Sequence, residues 1–325
     1  MNLRGVVTVA ACVALLFSAG PTTAQAEDVQ ASGLEVPAGV GVPQSARSAA
    51  AAYAEAHPGS APAGSNDFSC TPAPEHPEPV VLAHGTDASA YTDWAALSPL
   101  LAADGYCVFA LNYGGKPGAD TYGTEDIVDS AGEFGRFVAQ VRESTGAEKV
   151  DVVGYSQGAN VSRYYVNKLG GARFVDQWVG LASPSYGGVM FGLAPMFQAL
   201  PGGPDVVTEL TSVAVGQQMQ GSPFMTELNA GGDTVPGVSY TTVSSRYDEM
   251  IQPYSNMALH GDGAVNLVIQ DLCPQDGSGH FRAPYDPFAL DLIRTALDPN
   301  AIPNARCEFV PIGADIPQVV VDSNF

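Results

Sequence analysis

Basic residues are scarce in this sequence. Its 13 lysines and arginines face 34 aspartates and glutamates, which gives a formal net charge of −21 at pH 7. Such a charge repels phosphate backbones, so the composition argues against nucleic acid as a partner. Charged residues of both signs make up only 14% of the chain, against 36 glycines and 25 prolines. This balance indicates a loop-rich extracellular protein.

Metal-binding patterns and long apolar runs are missing as well. The sequence has no C-x-x-C, no H-E-x-x-H and no EF-hand spacing, so we assign no metal. The apolar run at residues 6–17 is shorter than the ~20 residues that a membrane span requires, and no other stretch is apolar enough. We therefore expect a soluble mature chain without an integral membrane segment.

The first residues have the pattern of a secretory signal peptide. Arg4 precedes the apolar run, and Ala24-Gln25-Ala26 matches the small-residue pattern of a cleavage site. We expect residues 1–26 to be this signal and the mature protein to be secreted. Loss of Arg4, the one charged residue in this segment, changes the net charge from −21 to −22. Cys12 lies inside the apolar run, which argues against a lipoprotein acceptor.

Four cysteines follow the predicted cleavage site: Cys70, Cys107, Cys273 and Cys307. An even number in an oxidising compartment favours two disulfides over metal ligands, with three possible connectivities. Cys70 lies just before one strand candidate and Cys107 opens another, while Cys273 and Cys307 flank the C-terminal helix. We expect the pairs Cys70–Cys107 and Cys273–Cys307.

Two regions differ in composition. Residues 27–67 form an Ala/Pro-rich N-terminal segment, interpreted as a flexible lead-in or wrapping arm with a possible short helix at 46–56. We assign residues 68–325 to one catalytic domain. Strands are predicted at 79–85, 106–114, 150–155, 176–183, 238–245 and 264–272, and helices at 91–105, 124–146, 157–169 and 288–297. Apolar strands separated by helices predict an α/β fold whose mostly parallel central sheet has helices on both faces.

The stretch VDVVGYSQGAN at 150–160 places Ser156 between two glycines where a strand gives way to a helix. G-x-S-x-G in this context is the pattern of a nucleophile elbow. The turn is too tight for side chains two residues before and after the serine, and it presents the hydroxyl above the sheet. We predict Ser156 as a catalytic nucleophile, with a structural Gly-Ser turn as the alternative.

A serine nucleophile needs a histidine base that a carboxylate orients. With this elbow the chain order is serine, acid, histidine, and only His260 and His280 follow Ser156. We favour His280, because it lies in a loop after the last predicted strand. His260 precedes that strand and is interpreted as a surface or lid-hinge residue.

Four carboxylates are candidates for the acid. Asp248 is favoured, because it follows the predicted strand at 238–245. Glu249 is adjacent but would point the other way on an extended chain. Asp233 and Asp262 lie in Gly-rich loops and are interpreted as turn formers.

Acyl transfer also needs hydrogen-bond donors for the developing oxyanion. One should be the N–H of the residue after the nucleophile, Gln157. The other should come from the loop after the first core strand, AHGTD, where Gly85 lets the backbone approach and the Thr86 N–H is the candidate. We interpret His84 as a brace for this loop.

Several of these stretches together resemble secreted triacylglycerol lipases of the actinomycete type, in the α/β-hydrolase superfamily. They are PVVLAHGT, LSPLLAADGYCVFALNYG, VDVVGYSQGAN, SRYDEMIQPY and VIQDLCPQDGSGH, and the resemblance runs from about residue 68 to residue 307. It implies extracellular hydrolysis of acylglycerol esters without an organic cofactor. Carried over to this chain, the triad falls on Ser156, Asp248 and His280, and the oxyanion donors on Thr86 and Gln157.

One residue departs from that family. Many such lipases have histidine where this chain has Tyr155. The elbow sequence GYSQGA is instead the one found in cutinases. Cutinases are secreted, disulfide-bonded serine esterases, but they are shorter and lack the early HG-x loop. The departure leaves the triad intact and leaves the choice of substrate open.

Residues 187–236 interrupt the strand–helix rhythm and are a candidate lid or cap insertion. Six of the seven methionines lie between Met190 and Met257, and flexible thioethers suit an adaptable acyl-binding surface. Ordinary core of a small helical cap is an equal alternative. If the insertion moves as a lid, an oil–water interface would activate the enzyme.

The sequence thus predicts a secreted, monomeric serine lipase or carboxylesterase that acts on lipid or other esters. A cutinase-like polyester esterase and a water-excluding acyltransferase are the alternatives among enzymes. The alternative from another class is a catalytically inactive α/β-hydrolase fold used as a binding module. Such proteins usually lose a triad member or an elbow glycine, and this chain keeps all of them.

Overall fold

Six parallel strands form the central sheet of the protein in this computed structural model, which describes residues 33–188, 202, 207–209, 211–300 and 305–314. The described residues contain eight strands: β1 (Gly39–Val40), β2 (Ser60–Ala61), β3 (Val80–Ala83), β4 (Val108–Ala110), β5 (Val150–Tyr155), β6 (Val175–Leu181), β7 (Ser239–Ser244) and β8 (Val265–Val268). β1 and β2 pair with each other in a separate two-stranded parallel sheet. The sheet runs in the order β4-β3-β5-β6-β7-β8, and every neighbouring pair is parallel. The predicted parallel sheet is confirmed.

Nine α-helices are interspersed with these strands in the described part of the chain. They are α1 (Arg47–Ala56), α2 (Ala90–Trp94), α3 (Leu97–Ala103), α4 (Ile127–Thr145), α5 (Gln157–Lys168), α6 (Val213–Gln217), α7 (Pro223–Asn229), α8 (Ile269–Leu272) and α9 (Pro287–Leu297). The long helix α4 has clear end signals. The Asp126 carboxylate accepts the N–H groups of Val128 and Asp129, and Gly146 ends the helix at φ 72°.

The core lies on both faces of the sheet, because successive strand residues point to opposite sides. In β3, Val81 belongs to the same buried cluster as Phe134 of α4. Its neighbour Leu82 belongs to a second cluster with Trp94 of α2 and Ile293 of α9. Helices therefore cover both faces, as the continuous apolar strands predict.

Three predicted elements differ from the structure in extent. The helix predicted at 91–105 is two helices, α2 and α3, and the strand predicted at 106–114 is only β4. The strand predicted at 264–272 is wrong in its second half, where the chain turns into α8. This turn directs the Gln270 side chain inward, where its Oε1 accepts the Arg246 N–H at 2.8 Å. No glycine or proline marks the change, so the apolar run hides it.

The N-terminal segment packs along the outer edge of β4. The Asn112 N–H donates to the Glu35 carbonyl oxygen at 2.8 Å, and the Asn66 N–H donates to the Val108 carbonyl oxygen at 2.9 Å. The Asn66 side chain also bonds both the N–H and the carbonyl of Ala110, each at 2.8 Å. The possible helix at 46–56 is present as α1. The edge of β4 is therefore covered rather than open to another chain.

Two disulfides join distant parts of the chain. Cys70–Cys107 connects the segment before β3 to the residue before β4, with Cα atoms 5.9 Å apart. Cys273–Cys307 connects the end of α8 to the chain beyond α9, with Cα atoms 5.5 Å apart. These are the two pairings that the sequence favours.

The candidate insertion is described only in part, as α6, α7 and the residues beside them. Within it, Met219, Phe224 and Met225 are buried in the core clusters. These three side chains match the alternative of an ordinary core. The remaining aromatics and methionines of the insertion lie outside the described residues, as do residues 1–26, so neither the lid nor the signal peptide is tested.

Candidate active site

Ser156 stands at the turn between β5 and α5, in a backbone conformation that serine rarely adopts. Its φ is 51° and its ψ is −120°, and a positive φ is uncommon for any residue with a side chain. The Ser156 N–H donates to the Leu181 carbonyl oxygen at 2.9 Å, which ties the turn to the end of β6. The hydroxyl is therefore held at the carboxyl edge of the sheet.

The two elbow glycines are required by close packing of the turn. A Cβ at Gly154 would lie 2.5 Å from the Ala159 nitrogen, and one at Gly158 would lie 2.1 Å from the Ala83 carbonyl oxygen. Both contacts are with backbone, which cannot move aside without displacing β3 or α5. The spacing of the glycines around the serine thus has the steric cause that the sequence pattern indicates.

The predicted nucleophile, base and acid form one hydrogen-bonded chain. His280 Nε2 lies 3.1 Å from Ser156 Oγ, and His280 Nδ1 lies 2.8 Å from Asp248 Oδ2. A carboxylate only accepts, so Nδ1 carries the hydrogen and the Nε2 lone pair faces the serine hydroxyl. All three residues are buried, with Ser156 the most accessible at 8% exposure.

The second oxygen of Asp248 is fully occupied. Oδ1 accepts the N–H groups of Met250 at 2.9 Å and Ile251 at 2.6 Å, in the turn that follows β7. These bonds fix the orientation of the carboxylate, so that Oδ2 is presented to the His280 ring.

His280 is held through its main chain as well as its ring. Its N–H donates to Glu249 Oε2 at 2.6 Å, and its carbonyl oxygen accepts the Tyr155 hydroxyl at 2.9 Å. With Asp248 on Nδ1 and Ser156 on Nε2, every polar group of this histidine has a partner. The sequence expectation for Glu249 is wrong on this point, because the carboxylate points toward the same histidine as Asp248.

Tyr155 is buried in the core beneath the serine–histidine pair. The residue is 2% exposed, and its ring contacts Trp94 edge-on at 6.5 Å between centroids. Burial raises the pKa of its hydroxyl well above the usual value, so the group stays a neutral donor. The residue that this chain shares with cutinases therefore contacts the main chain of His280.

The two predicted oxyanion donors lie side by side. Gln157 Nε2 donates to the Thr86 hydroxyl oxygen at 3.2 Å and to the Gly123 carbonyl oxygen at 2.8 Å. Within the described ranges, neither the Thr86 N–H nor the Gln157 N–H donates to another protein group. Their role as oxyanion donors stays a prediction.

An ion pair between the partly exposed Arg47 and the buried Asp93 supports the loop that carries Thr86. The Gly85 N–H donates to Asp93 Oδ2 at 2.7 Å, and the other oxygen of Asp93 pairs with Arg47 of α1. Burial alone would lower the pKa of the Arg47 guanidinium, but the charge of Asp93 raises it above its usual value. The N-terminal segment therefore contributes directly to the geometry of this loop.

His84 braces the same loop from inside the core, as the sequence predicts. Its Nδ1–H donates to the Gly85 carbonyl oxygen at 2.8 Å, and its Nε2 accepts the Tyr113 N–H at 3.3 Å. The two rings stack with centroids 4.1 Å apart. Burial lowers the pKa of His84 to about 4, so the ring is neutral at pH 7.

The alternative residues do not join the serine. His260 is exposed and stacks on Tyr186 with centroids 4.7 Å apart, and Asp262 is exposed. Asp233 is buried and accepts the N–H groups of His260 at 2.5 Å and Gly261 at 2.8 Å, together with the Tyr186 hydroxyl at 2.8 Å. It ties two loops together and is more than a turn former.

Sequence reasoning missed three supporting residues: Glu249, Asp93 and Arg47. Glu249 could have been flagged as the second member of an acidic pair after a strand, but its direction depends on the turn. The Arg47–Asp93 pair leaves no local signal, because its members are 46 positions apart. In the part of the chain that the structure describes, no three His, Cys, Asp or Glu side chains are grouped to hold a metal ion.

Comparison with known proteins places these features in a family. The model of the family described as Lipase (class 2) matches residues 77–283. This range begins just before β3 and ends within the loop between α8 and α9 that carries His280, here called the histidine loop. It therefore contains all three residues of the hydrogen-bonded chain, and it covers more than half of the protein.

Two solved lipases have a similar fold. Lipase B of Aspergillus fumigatus is 21% identical with a TM-score of 0.56, and the match covers 74% of this chain and 55% of that one. This chain thus spans about half the length of the fungal lipase. The mature form of Bacillus licheniformis lipase BlEst2 is 17% identical with a TM-score of 0.51, over 70% of this chain and 94% of that one. At these identities the likeness establishes the α/β-hydrolase fold alone.

Proposed function

The chain belongs to the class 2 lipase family, and from that premise we propose that it is a carboxylic ester hydrolase that forms an acyl-enzyme on Ser156. The observation that carries the proposal is the chain of hydrogen bonds from Ser156 through His280 to Asp248, with distances of 3.1 and 2.8 Å. A serine alcohol becomes an effective nucleophile only when a positioned base removes its proton.

In the acylation step His280 Nε2 takes the Ser156 proton as Oγ attacks the ester carbonyl carbon. The imidazolium that forms is stabilised by Asp248, which accepts the ring N–H on Oδ2 and two backbone N–H groups on Oδ1. The same His280 then delivers the proton from Nε2 to the leaving alcohol. The acyl group is left as an ester on Ser156.

The carbonyl oxygen gains negative charge as the serine adds, and the Thr86 and Gln157 N–H groups are the proposed donors to it. Loss of one such donor typically costs about 10²- to 10³-fold in kcat. The Gln157 side chain, which bonds Thr86 and Gly123, keeps the two donors together.

Deacylation repeats these steps with water in place of the alcohol. His280 removes a proton from water as the water oxygen attacks the acyl carbon, and the returning proton restores Ser156. The reaction consumes one ester and one water and releases one acid and one alcohol. No cofactor is needed in this sequence of steps.

We further propose that the substrates are acylglycerol esters presented at an oil–water interface, and that the enzyme acts outside the cell as a monomer. The two disulfides and the signal pattern at residues 1–26 support export. Within the described ranges no helix is both long and apolar enough to cross a membrane.

A series of p-nitrophenyl and glycerol esters of increasing acyl length, measured below and above their solubility limits, tests the substrate class. A faster rate above the limit supports a lipase.

Replacement of the nucleophile tests the central claim. We expect Ser156→Ala to abolish ester cleavage and labelling by a fluorophosphonate while circular dichroism stays unchanged. The exposed Ser45→Ala variant is the matched control and should keep both activities. Ester cleavage retained in folded Ser156→Ala would refute the acyl-enzyme proposal.

A further inference from the structure

Glu249 follows the proposed acid directly and contacts the same histidine. Asp248 bonds the ring of His280, and Glu249 Oε2 accepts the His280 backbone N–H at 2.6 Å. Adjacent side chains on a straight strand point in opposite directions. Here the chain turns after β7, where the Asp248 N–H donates to the Ser245 carbonyl oxygen at 3.3 Å, and this turn brings both carboxylates to one loop.

The loop is shaped for this carboxylate at Gly279. A Cβ built on Gly279 would lie 2.2 Å from Glu249 Oε1, 2.3 Å from Oε2 and 2.4 Å from the carboxyl carbon, and these are its three nearest neighbours. The backbone of Gly279 is not in the left-handed region. A side chain at this position would push the Glu249 carboxylate aside, and the backbone conformation itself does not require glycine.

His280 depends on such support because it lies outside any helix or strand. The chain leaves α8 at Leu272 and enters α9 only at Pro287. Within that stretch no regular ladder holds the main chain of His280. Its N–H and carbonyl are fixed by the side chains of Glu249 and Tyr155 instead.

The surroundings of Glu249 favour a fixed role. Three titratable groups face it: Asp248, His280 and Tyr155. Burial raises the pKa of the Glu249 carboxyl and the charge of Asp248 raises it further, while the bond from the His280 N–H opposes the rise. A partly desolvated carboxylate of this kind favours keeping its hydrogen bond to the His280 N–H.

We propose that Glu249 is a positioning residue for the reaction, which holds His280 at hydrogen-bond distance from Ser156 by accepting its backbone N–H. The inference rests on the proposed function. Glu249 touches neither Ser156 nor an ester; it acts through the main chain of the base. A displacement of about 1 Å at a catalytic group can cost about 10²-fold in rate.

Four variants test the proposal in the full chain. Glu249→Ala removes the acceptor, and we expect kcat to fall about 10- to 100-fold with KM within about twofold, because only the base is misplaced. Glu249→Gln keeps an oxygen at the same position, and kcat should stay within about threefold of wild type. Gly279→Ala displaces the carboxylate and should lower kcat as Glu249→Ala does. The double variant E249A/G279A should be no worse than E249A, because the added methyl group then meets no carboxylate.

Glu143→Gln is the control. It removes the same negative charge as Glu249→Gln, but at an exposed position of α4, and its kcat should match that of wild type. Circular dichroism checks that each variant is folded; if Glu249→Ala does not fold, the contrast of Gly279→Ala with Glu249→Gln decides. Three results would each overturn the proposal: wild-type kcat in E249A, an equal fall of kcat in E249Q and E249A, or a fall in the double variant that is the sum of the two single ones. Wild-type enzyme that neither cleaves esters nor reacts with a fluorophosphonate would instead refute the proposed function.

Discussion

The buried hydroxyl of Tyr155 donates to the backbone carbonyl of His280 across 2.9 Å. The residue before the proposed nucleophile thus fixes the main chain of the proposed base, 125 positions further along the chain. A single side chain in the elbow couples the position of β5 to that of the histidine loop.

Tyr155→Phe removes this bond and keeps the ring. We expect the free energy of unfolding to fall by about 1–3 kcal/mol, because a buried carbonyl loses its donor. We also expect kcat to fall about tenfold through misplacement of His280. Relative rates across an acyl-length series should be unchanged, since the ring does not face a substrate. Changed chain-length preference at a normal rate would contradict this view of Tyr155.

Glycine-to-alanine changes distinguish packing from backbone effects. Gly158→Ala should lower the free energy of unfolding by about 3 kcal/mol or more, because the new methyl group would overlap the backbone of β3. Gly132→Ala on α4, where the nearest atom is an Arg136 nitrogen at 3.9 Å, should raise it by about 0.5–1 kcal/mol. Urea unfolding of the two variants checks both signs. Equal effects would show that the elbow is less tightly packed than described.

Arg47→Met leaves the buried Asp93 carboxylate unpaired. Breaking such a pair typically lowers the free energy of unfolding by about 3–5 kcal/mol, and kcat should fall about tenfold as the Gly85 loop shifts. Lys149→Met breaks a pair whose side chains are 31% and 46% exposed, and it should change stability by less than about 1 kcal/mol. Thermal unfolding and ester turnover of both variants make the comparison. Full ester turnover in Arg47→Met would show that α1 does not contribute to the geometry of the site.

His84 should make stability depend on pH. The folded-state pKa is about 4, below the unfolded value of about 6.5, so between these values the unfolded chain binds a proton that the native chain does not. Stability is therefore lost as the pH falls from about 6.5 to about 4, by about 3 kcal/mol in total from this group. His84→Gln should abolish that part of the slope. The exposed His57→Gln variant is the control and should keep it. An unchanged slope in His84→Gln would contradict the assignment.

The sequence predicts most of what is determined locally. Ser156 follows from eleven consecutive residues, because the strand, the elbow glycines and the helix all lie within 150–160. His280 and Asp248 follow from chain order and from their places after strands. The side chains that hold the main chain of His280, Glu249 and Tyr155, do not follow from the sequence in the same way.

What the sequence does not reveal depends on direction and distance. Glu249 points toward His280 only because the chain turns at that place, and period-two reasoning gives the opposite orientation. The pairing of Arg47 with Asp93 depends on how the N-terminal segment folds back over α2. The change from β8 to α8 has no breaking residue. In each case tertiary contacts decide, and no local pattern records them.

The positive φ of Ser156 means that this serine reaches its proposed reactive conformation only when the chain has folded. Before folding, nothing holds the serine in this conformation, and its base lies 124 positions away. An unfolded chain therefore carries an ordinary alcohol at this position. It can be deprotonated by His280 only after folding has brought the loop beyond β8 to the elbow.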